Sequence, residues 1–95
     1  MKKYEIMYIL NATLDEAAAK GEIAKLQKIL EDNKAKVLDT KEWGVKDFAS
    51  IIKKQTKGYY VILKVNAEKP ALDEFDRLAK LNQNVLRHLI TVAQD

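Results

Sequence analysis

The chain has 95 residues, of which 47% are hydrophobic, 33% are charged, three are Gly and one is Pro. This composition predicts one domain over residues 1–95 and excludes a two-domain, disordered or fibrous protein. The absence of Cys excludes a disulfide framework, a thiolate metal site and a thiol nucleophile, and it suits a reducing, cytoplasmic compartment. The longest apolar runs are Ile6–Leu10 and Tyr59–Leu63, which are far too short to span a bilayer. We therefore expect that the chain is not a membrane protein.

The net charge of +3 is unevenly distributed along the chain. Residues 41–64 contain six Lys against two acids, Glu42 and Asp47. If this segment folds as a hairpin, it presents a basic strip of the kind that binds a phosphate backbone. A solvated surface rich in Lys explains the charge equally well.

The first elements of the chain read as a strand followed by a helix. Tyr4–Leu10 alternates large side chains on both faces and is rich in β-branched and aromatic residues, which predicts a strand. Thr13 and Glu16 have the spacing of a capping box, and apolar residues then recur at helical spacing. A helix is predicted over Leu14–Asp32, with Asn33 as its stop.

The second half of the chain predicts two further strands, a helix and a last strand. Ala35–Glu42 and Tyr59–Val65 are β-rich runs that pair naturally as antiparallel strands. Pro70 suits the first turn of a second helix, whose apolar stripe ends near Leu81. Val85–Val92 is rich in β-branched residues and predicts the final strand.

The order βαββαβ predicts an α+β fold of the ferredoxin-like α/β plait type. Its four-stranded antiparallel sheet has the strand order 4-1-3-2, and both helices cover one face. The other face and the sheet edges are then open to partners.

One segment conflicts with this prediction. Val45–Gln55 places Val45, Phe48, Ile51 and Ile52 at the spacing i, i+3, i+6, i+7, a period that favours a helix. We nevertheless expect a hairpin here in the full-length chain, because the second helix and the last strand supply burial that the isolated segment lacks.

Three stretches carry a likeness to a known family: KKYEIMYIL, EWGVKDFASIIKKQTKGYY and FDRLAKLNQNVLRHLI. Together they resemble the bacterial small-subunit ribosomal protein S6 family over essentially the whole chain. The resemblance implies a cytoplasmic, non-enzymatic protein of the ribosome that uses no cofactor. It also implies binding to the central domain of small-subunit ribosomal RNA and pairing with ribosomal protein S18.

Basic side chains at strand ends and in the hairpin are the candidate RNA contacts, because they can reach phosphates and release counterions. They are Lys2, Lys3, Lys46, Lys53, Lys54, Lys57 and Arg87. Arg87 matches a family position, and its planar guanidinium suits phosphate. For each Lys alone, a solvated surface position is the alternative interpretation.

The second strand and its turn depart from the family pattern, which reads approximately WGKRKLAYPI where this chain has WGVKDFASII. Val45 and Asp47 stand in place of basic residues, Ser50 in place of an aromatic ring and Ile51 in place of Pro. These changes predict weaker electrostatic and stacking contributions to RNA binding.

The same segment supports an alternative interpretation. TKEWGVKDFASIIKKQTKG is similar to the central helices of the bacterial albumin-binding three-helix module. On this hypothesis the chain is an engineered or fold-switching plait scaffold with weakened RNA binding and no partner. Residues 12–67 would then hold a latent three-helix state.

No constellation in the sequence points to catalysis or to a metal site. His88 is the only His and is predicted to be structural. The loop Asn11–Asp15 lacks the Arg that an acylphosphatase-type anion cradle would need. Tyr59 and Tyr60 are candidates for base stacking, although at least one of them should face the core. Trp43 is expected to serve packing.

Overall fold

In a computed structural model, the strands and helices follow one another in the predicted order βαββαβ. The structure describes residues 2–52 and 55–93, and for residues 48–52 and 55 it describes only the backbone. The elements are β1 (Lys2–Asn11), α1 (Glu16–Asp32), β2 (Lys36–Ile52), β3 (Gln55–Ala67), α2 (Lys69–Leu81) and β4 (Val85–Val92). The predicted bounds of β4 are confirmed.

The sheet is antiparallel throughout the described strands and has the order β2-β3-β1-β4. This is the predicted order 4-1-3-2 read from the other edge, so the ferredoxin-like α/β plait is confirmed. β1 lies in the interior of the sheet between β3 and β4, while β2 and β4 are the two edge strands.

The hairpin predicted for the conflicting segment is confirmed, and the helical period of its side chains is overruled. β2 does not end at Glu42, as the sequence suggested, but continues to Ile52. Its backbone pairs with β3 from Lys36 opposite Asn66 to Ile52 opposite Gln55. A helix in this segment would also form its backbone hydrogen bonds. Pairing with β3 forms them and adds cross-strand side-chain contacts with a strand that is already anchored in the sheet.

Both helices pack on the same face of the sheet, as predicted. Alternate residues of β1 and β3 share one core cluster with buried residues of both helices. The sheet contributes Ile6, Tyr8, Leu10, Val61, Leu63 and Val65, and the helices contribute Ile23, Leu26, Leu30, Ala71, Leu72, Phe75 and Ala79. Because strand side chains alternate, the intervening residues of the central strands lie on the other side of the sheet, called here the uncovered face.

α1 begins two residues later than predicted, because Asp15 and not Thr13 caps it. The Asp15 carboxylate accepts a 2.7 Å hydrogen bond from the Ala18 N–H. Thr13 is instead held by Asn11, whose side-chain oxygen accepts from the Thr13 N–H at 3.0 Å and from its hydroxyl at 2.8 Å. A short Asx turn therefore uses up the residue that the sequence pattern had assigned to the cap.

α1 ends in a Schellman motif. Asn33 is the C-cap, which confirms the predicted stop. The Lys34 N–H donates to the Glu31 carbonyl at 3.0 Å, and the Ala35 N–H donates to the Leu30 carbonyl at 2.9 Å. Lys34 adopts φ 68°, in the left-handed region that glycine tolerates better than any other residue.

Replacing Lys34 with Gly is expected to raise the free energy of unfolding by about 0.5–1 kcal/mol. The left-handed backbone penalises a side chain by roughly 1–2 kcal/mol, and the greater freedom of Gly in the unfolded chain offsets part of that gain. Urea denaturation followed by circular dichroism measures the change. The control Lys28→Gly, in the exposed middle of α1, should lose about 1 kcal/mol; a loss at Lys34 as well would contradict the prediction.

His88 on β4 contacts two residues of α2, Asp76 and Phe75, and so has a structural role. Its Nε2 lies 2.6 Å from Asp76 Oδ1, and its ring meets the Phe75 ring edge-on at a centroid distance of 6.2 Å. Lys80 Nζ lies 3.0 Å from the other Asp76 oxygen. The hydrogen bonds from His88 and from Lys80 hold the pKa of the Asp76 carboxyl below its ordinary value. This network attaches the last strand to the second helix.

Candidate nucleic-acid interface

The second and third strands form a long hairpin that projects beyond the rest of the sheet. We call residues 41–52 of β2 and 55–64 of β3 the ribbon. The last residue of β1, Asn11, pairs with Gly58, so the part of the ribbon beyond Gly58 has no third strand beside it. Segment 41–64, which contains the ribbon, carries six Lys and two acids, a difference of +4.

Both acids of the ribbon already have partners. Glu42 Oε1 accepts a 2.9 Å hydrogen bond from the Tyr59 hydroxyl, which raises the pKa of Tyr59 above its ordinary value. Asp47 Oδ1 lies 4.0 Å from Lys57 Nζ, with both side chains exposed. The Lys side chains of the ribbon, Lys41, Lys46, Lys57 and Lys64, are all exposed to solvent.

Trp43 lies at a β-bulge where the ribbon begins. Glu42 pairs with Val61 and Gly44 pairs with Tyr60, so Trp43 is the extra residue between two ladder positions. Gly44 adopts φ 81°, which accommodates the bulge without a side-chain penalty. Trp43, which the sequence assigned to packing, is instead 51% exposed.

The exposed indole has a cation beside it. Lys46 Nζ lies 4.5 Å from the centroid of the Trp43 ring, within the range of a cation–π interaction. The sequence had identified Lys46 as a candidate RNA contact but not its indole neighbour. The sequence carried no signal for the pair, because the bulge at Trp43 arises only from pairing with β3.

Arg87 lies on the uncovered face, in line with the beginning of the ribbon. Ile9 pairs with Tyr60 on one side and with Arg87 on the other, and Tyr60 pairs in turn with Gly44. One row of residues thus crosses the four strands. Three strand spacings place Arg87 about 14 Å from β2, so it does not join the ribbon lysines in one cluster.

Lys2 and Lys3 belong to a second basic group at the far end of β1. Lys3 pairs with Asn66, which pairs in turn with Lys36 at the start of β2. Along β1 the distance from Lys3 to Ile9 is about 20 Å, so the two groups are separate. Sequence reasoning missed Lys36, although its place at the start of a β-rich run marked it as a strand-end Lys.

Two of the remaining candidate contacts lie on the ribbon. Lys46 and Lys57 are on facing strands, with Lys46 paired with Gly58 and Lys57 with Asp47. Lys53 and Lys54 lie outside the described residues. The predicted contacts therefore divide into the ribbon, the Arg87 position and the far end of β1.

An apolar row crosses the middle of the uncovered face. Ile62, Met7 and Leu89 pair across β3, β1 and β4, and Leu89 on the edge strand is 50% exposed. The next row is charged, with Lys64 paired with both Asp39 and Glu5. An apolar row flanked by charge at a sheet edge has the character of a protein contact.

Neither a metal site nor a spanning helix is found in the part of the chain that the structure describes. No three His, Cys, Asp or Glu side chains of residues 2–52 and 55–93 are grouped so as to hold an ion. Within the same ranges, neither helix is long and apolar enough to cross a membrane.

Comparison with known proteins assigns the family. The family model described as Ribosomal protein S6 matches residues 3–92, nearly the whole chain. The chain belongs to the ribosomal protein S6 family. This assignment confirms the resemblance seen in the sequence and makes the chain a ribosomal protein by family.

Two solved structures show how widely the S6 fold is shared. The crystal structure of 30S ribosomal protein S6 from Thermotoga maritima superposes with a TM-score of 0.92 at 22% identity, covering 97% of this chain and 87% of that one. The structure of the chemotaxis kinase CheA P2 domain with the response regulator CheY, also from Thermotoga maritima, matches with a TM-score of 0.59 at 18% identity, covering 97% and 98%. The second match shares the architecture of the S6 family and nothing more.

Proposed function

We propose that this S6-family chain is a non-catalytic protein of the cytoplasmic ribosome that binds small-subunit ribosomal RNA together with ribosomal protein S18. The observation that carries the proposal is the ribbon, a basic hairpin projecting from a fold whose family is ribosomal. Binding by such a surface is largely electrostatic and needs no cofactor.

The ribbon supplies the main RNA contact. Lys46 pairs with Gly58, where the projecting part begins, and Lys57 lies on that part, so both can reach phosphates without interference from a third strand. Lys53 and Lys54, which follow β2 in the sequence, are proposed as further contacts. The ion pair between Lys57 and Asp47 is long and exposed, so it is weak and leaves Lys57 free to exchange its partner for a phosphate.

Two further contacts flank the ribbon contact. Arg87 reaches RNA from the uncovered face, where its guanidinium offers a planar fork for phosphate oxygens. Lys2 and Lys3, with Lys36 nearby, form a second basic position at the far end of the sheet. A long RNA helix could meet both ends at once, because their separation of about 20 Å is less than one turn of a duplex.

The apolar row Ile62, Met7 and Leu89 supports the pairing with S18. It ends at β4, an edge strand, and both the uncovered face and the sheet edges are open to partners. The row lies away from the part of the ribbon beyond Gly58, so a protein and an RNA can bind the chain at the same time.

The test is the salt dependence of RNA binding by the full-length chain. A labelled central-domain fragment of small-subunit ribosomal RNA is titrated with the chain, with and without S18, at several KCl concentrations. We expect tighter binding with S18 and a linear fall of log K with log salt. Arg87→Ala and Lys46→Ala should each reduce the slope by about 0.7–0.9, the effect of one lost phosphate contact.

Lys28→Ala is the matched control for charge. Lys28 is exposed on α1, on the opposite side of the sheet from the uncovered face, so its loss should leave both affinity and slope unchanged. No binding at low salt with S18 present would overturn the proposed function.

A further inference from the structure

The exposure of Trp43 is unusual for its residue type, since Trp buries more apolar surface than any other side chain when it packs. Trp43 is the only Trp of the chain, and 51% of it is exposed. The other large apolar side chains exposed in the described ranges are aliphatic: Leu38, Val45, Leu81, Leu89 and Val92. Trp43 therefore offers a flat aromatic surface that none of these residues can supply.

The backbone holds this indole in place. The bulge fixes the position of Trp43 between two ladder pairs, so the side chain projects from a hydrogen-bonded strand and not from a loose loop. The Lys46 ammonium lies over the Trp43 ring, 4.5 Å from the ring centroid. A flat group that binds the remaining exposed surface meets an aromatic face and a positive charge together.

The charge of the surroundings decides which flat group fits. Lys41 and Lys46 are exposed on the same strand, while Glu42 is engaged by Tyr59. To match this surface, a protein segment would need both an acidic side chain for the lysines and a flat side chain for the indole. A nucleotide combines a planar base with a phosphate in one unit, which is the pairing that single-strand RNA sites use.

We propose that Trp43 stacks on an unpaired base of the bound RNA while Lys46 contacts the phosphate next to that base. The proposal rests on the proposed function and adds a single-strand contact to it. Bases inside an A-form duplex are already stacked on one another, so only a loop, bulge or end can supply the partner.

The experiment follows binding and stacking in the same titration. The full-length chain is mixed with the labelled central-domain RNA fragment; anisotropy of the label reports binding, and emission of Trp43, the single indole, reports stacking. We expect emission to be quenched in parallel with binding. Polyuridylate should quench it too, whereas a poly(A)·poly(U) duplex should bind without quenching.

Variants separate stacking from charge. Trp43→Ala should weaken binding of the RNA fragment roughly 5- to 150-fold, the range for one base stacked on an aromatic ring, and should leave the salt slope unchanged. Trp43→Phe should retain most of the affinity. Leu81→Ala removes a side chain that is 68% exposed on α2 and should change neither signal, which makes it the matched control.

Each contrary outcome has a distinct meaning. If RNA binds with unchanged emission and Trp43→Ala binds as tightly as the parent chain, the stacking proposal is overturned and the proposed function stands. Quenching by S18 alone, or equal quenching by the duplex, also overturns stacking on an unpaired base. If anisotropy shows no RNA binding in any condition, the proposed function fails and the stacking proposal fails with it.

Discussion

Phe75→Ala is expected to lower the free energy of unfolding by about 3–5 kcal/mol, the largest effect of any substitution considered. Phe75 is fully buried at the centre of the core. Its ring lies 6.3 Å from that of Tyr8 on β1 and 6.2 Å from that of His88 on β4, measured between centroids. Truncation therefore opens a cavity where α2 meets two strands of the sheet.

Urea denaturation at neutral pH measures the loss. Leu81→Ala on the same helix is the control, since its exposed side chain should change stability by no more than about 0.5 kcal/mol. A loss below about 2 kcal/mol at Phe75 would show that the surrounding helices can collapse into the space, contrary to the packing described.

Glu22→Gln is expected to destabilise the chain by about 1–2 kcal/mol at neutral pH. The Glu22 carboxylate on α1 accepts hydrogen bonds from Asn82 Nδ2 at 2.7 Å and from Asn84 Nδ2 at 3.1 Å. These two Asn are the first and last residues of the connection between α2 and β4, so one carboxylate holds both ends of that loop. A Gln amide leaves only one acceptor oxygen for the two donors and removes the charge that strengthens both bonds.

The pH dependence of this effect follows from the pKa of Glu22. Partial burial acts to raise the pKa, but the hydrogen bonds from Asn82 and Asn84 and the charge of Lys25 together hold it below the ordinary value of 4.5. A carboxyl with a lowered folded pKa stabilises the fold above its unfolded pKa and loses that contribution as pH falls through the folded value. The difference between the parent chain and Glu22→Gln should thus shrink as the pH is lowered from 4.5.

Stability curves at a series of pH values test the sign. Glu31→Gln, an exposed position on the same helix, should show no more than about 0.5 kcal/mol of change at any pH. A Glu22→Gln loss that stayed constant into the acid range would show that the carboxylate charge is not what holds the loop.

Much of the candidate site was visible in the sequence, but its arrangement was not. The excess of Lys in residues 41–64 indicated that this segment is a basic surface, and Arg87 was selected because it matches a position of the family. The grouping could not be derived, because it depends on which residues pair across strands distant in sequence. Only the register shows that Arg87 is three strands from Gly44 and that Lys3 shares a row with Lys36.

Local patterns failed at Thr13 and at Trp43. The spacing of Thr13 and Glu16 suited a capping box, yet Asn11 binds Thr13 and leaves the cap to Asp15. Trp43 looked like a packing residue because Trp is so often buried, but the bulge that exposes it arises from pairing with β3. Neither outcome changes the hydrophobic pattern, so pattern reasoning alone had no means of choosing.

Hydrophobic alternation and helical periodicity, summed over whole elements, determined the order βαββαβ from the sequence alone, and a resemblance of three stretches indicated the family. Tertiary structure decided the conformation of residues 45–52, where a helical period is overruled. A lone segment follows its local preference, whereas here pairing with an anchored β3 supplies a complete ladder of hydrogen bonds on one side. The same long-range pairing creates the projecting ribbon and the bulge that exposes Trp43.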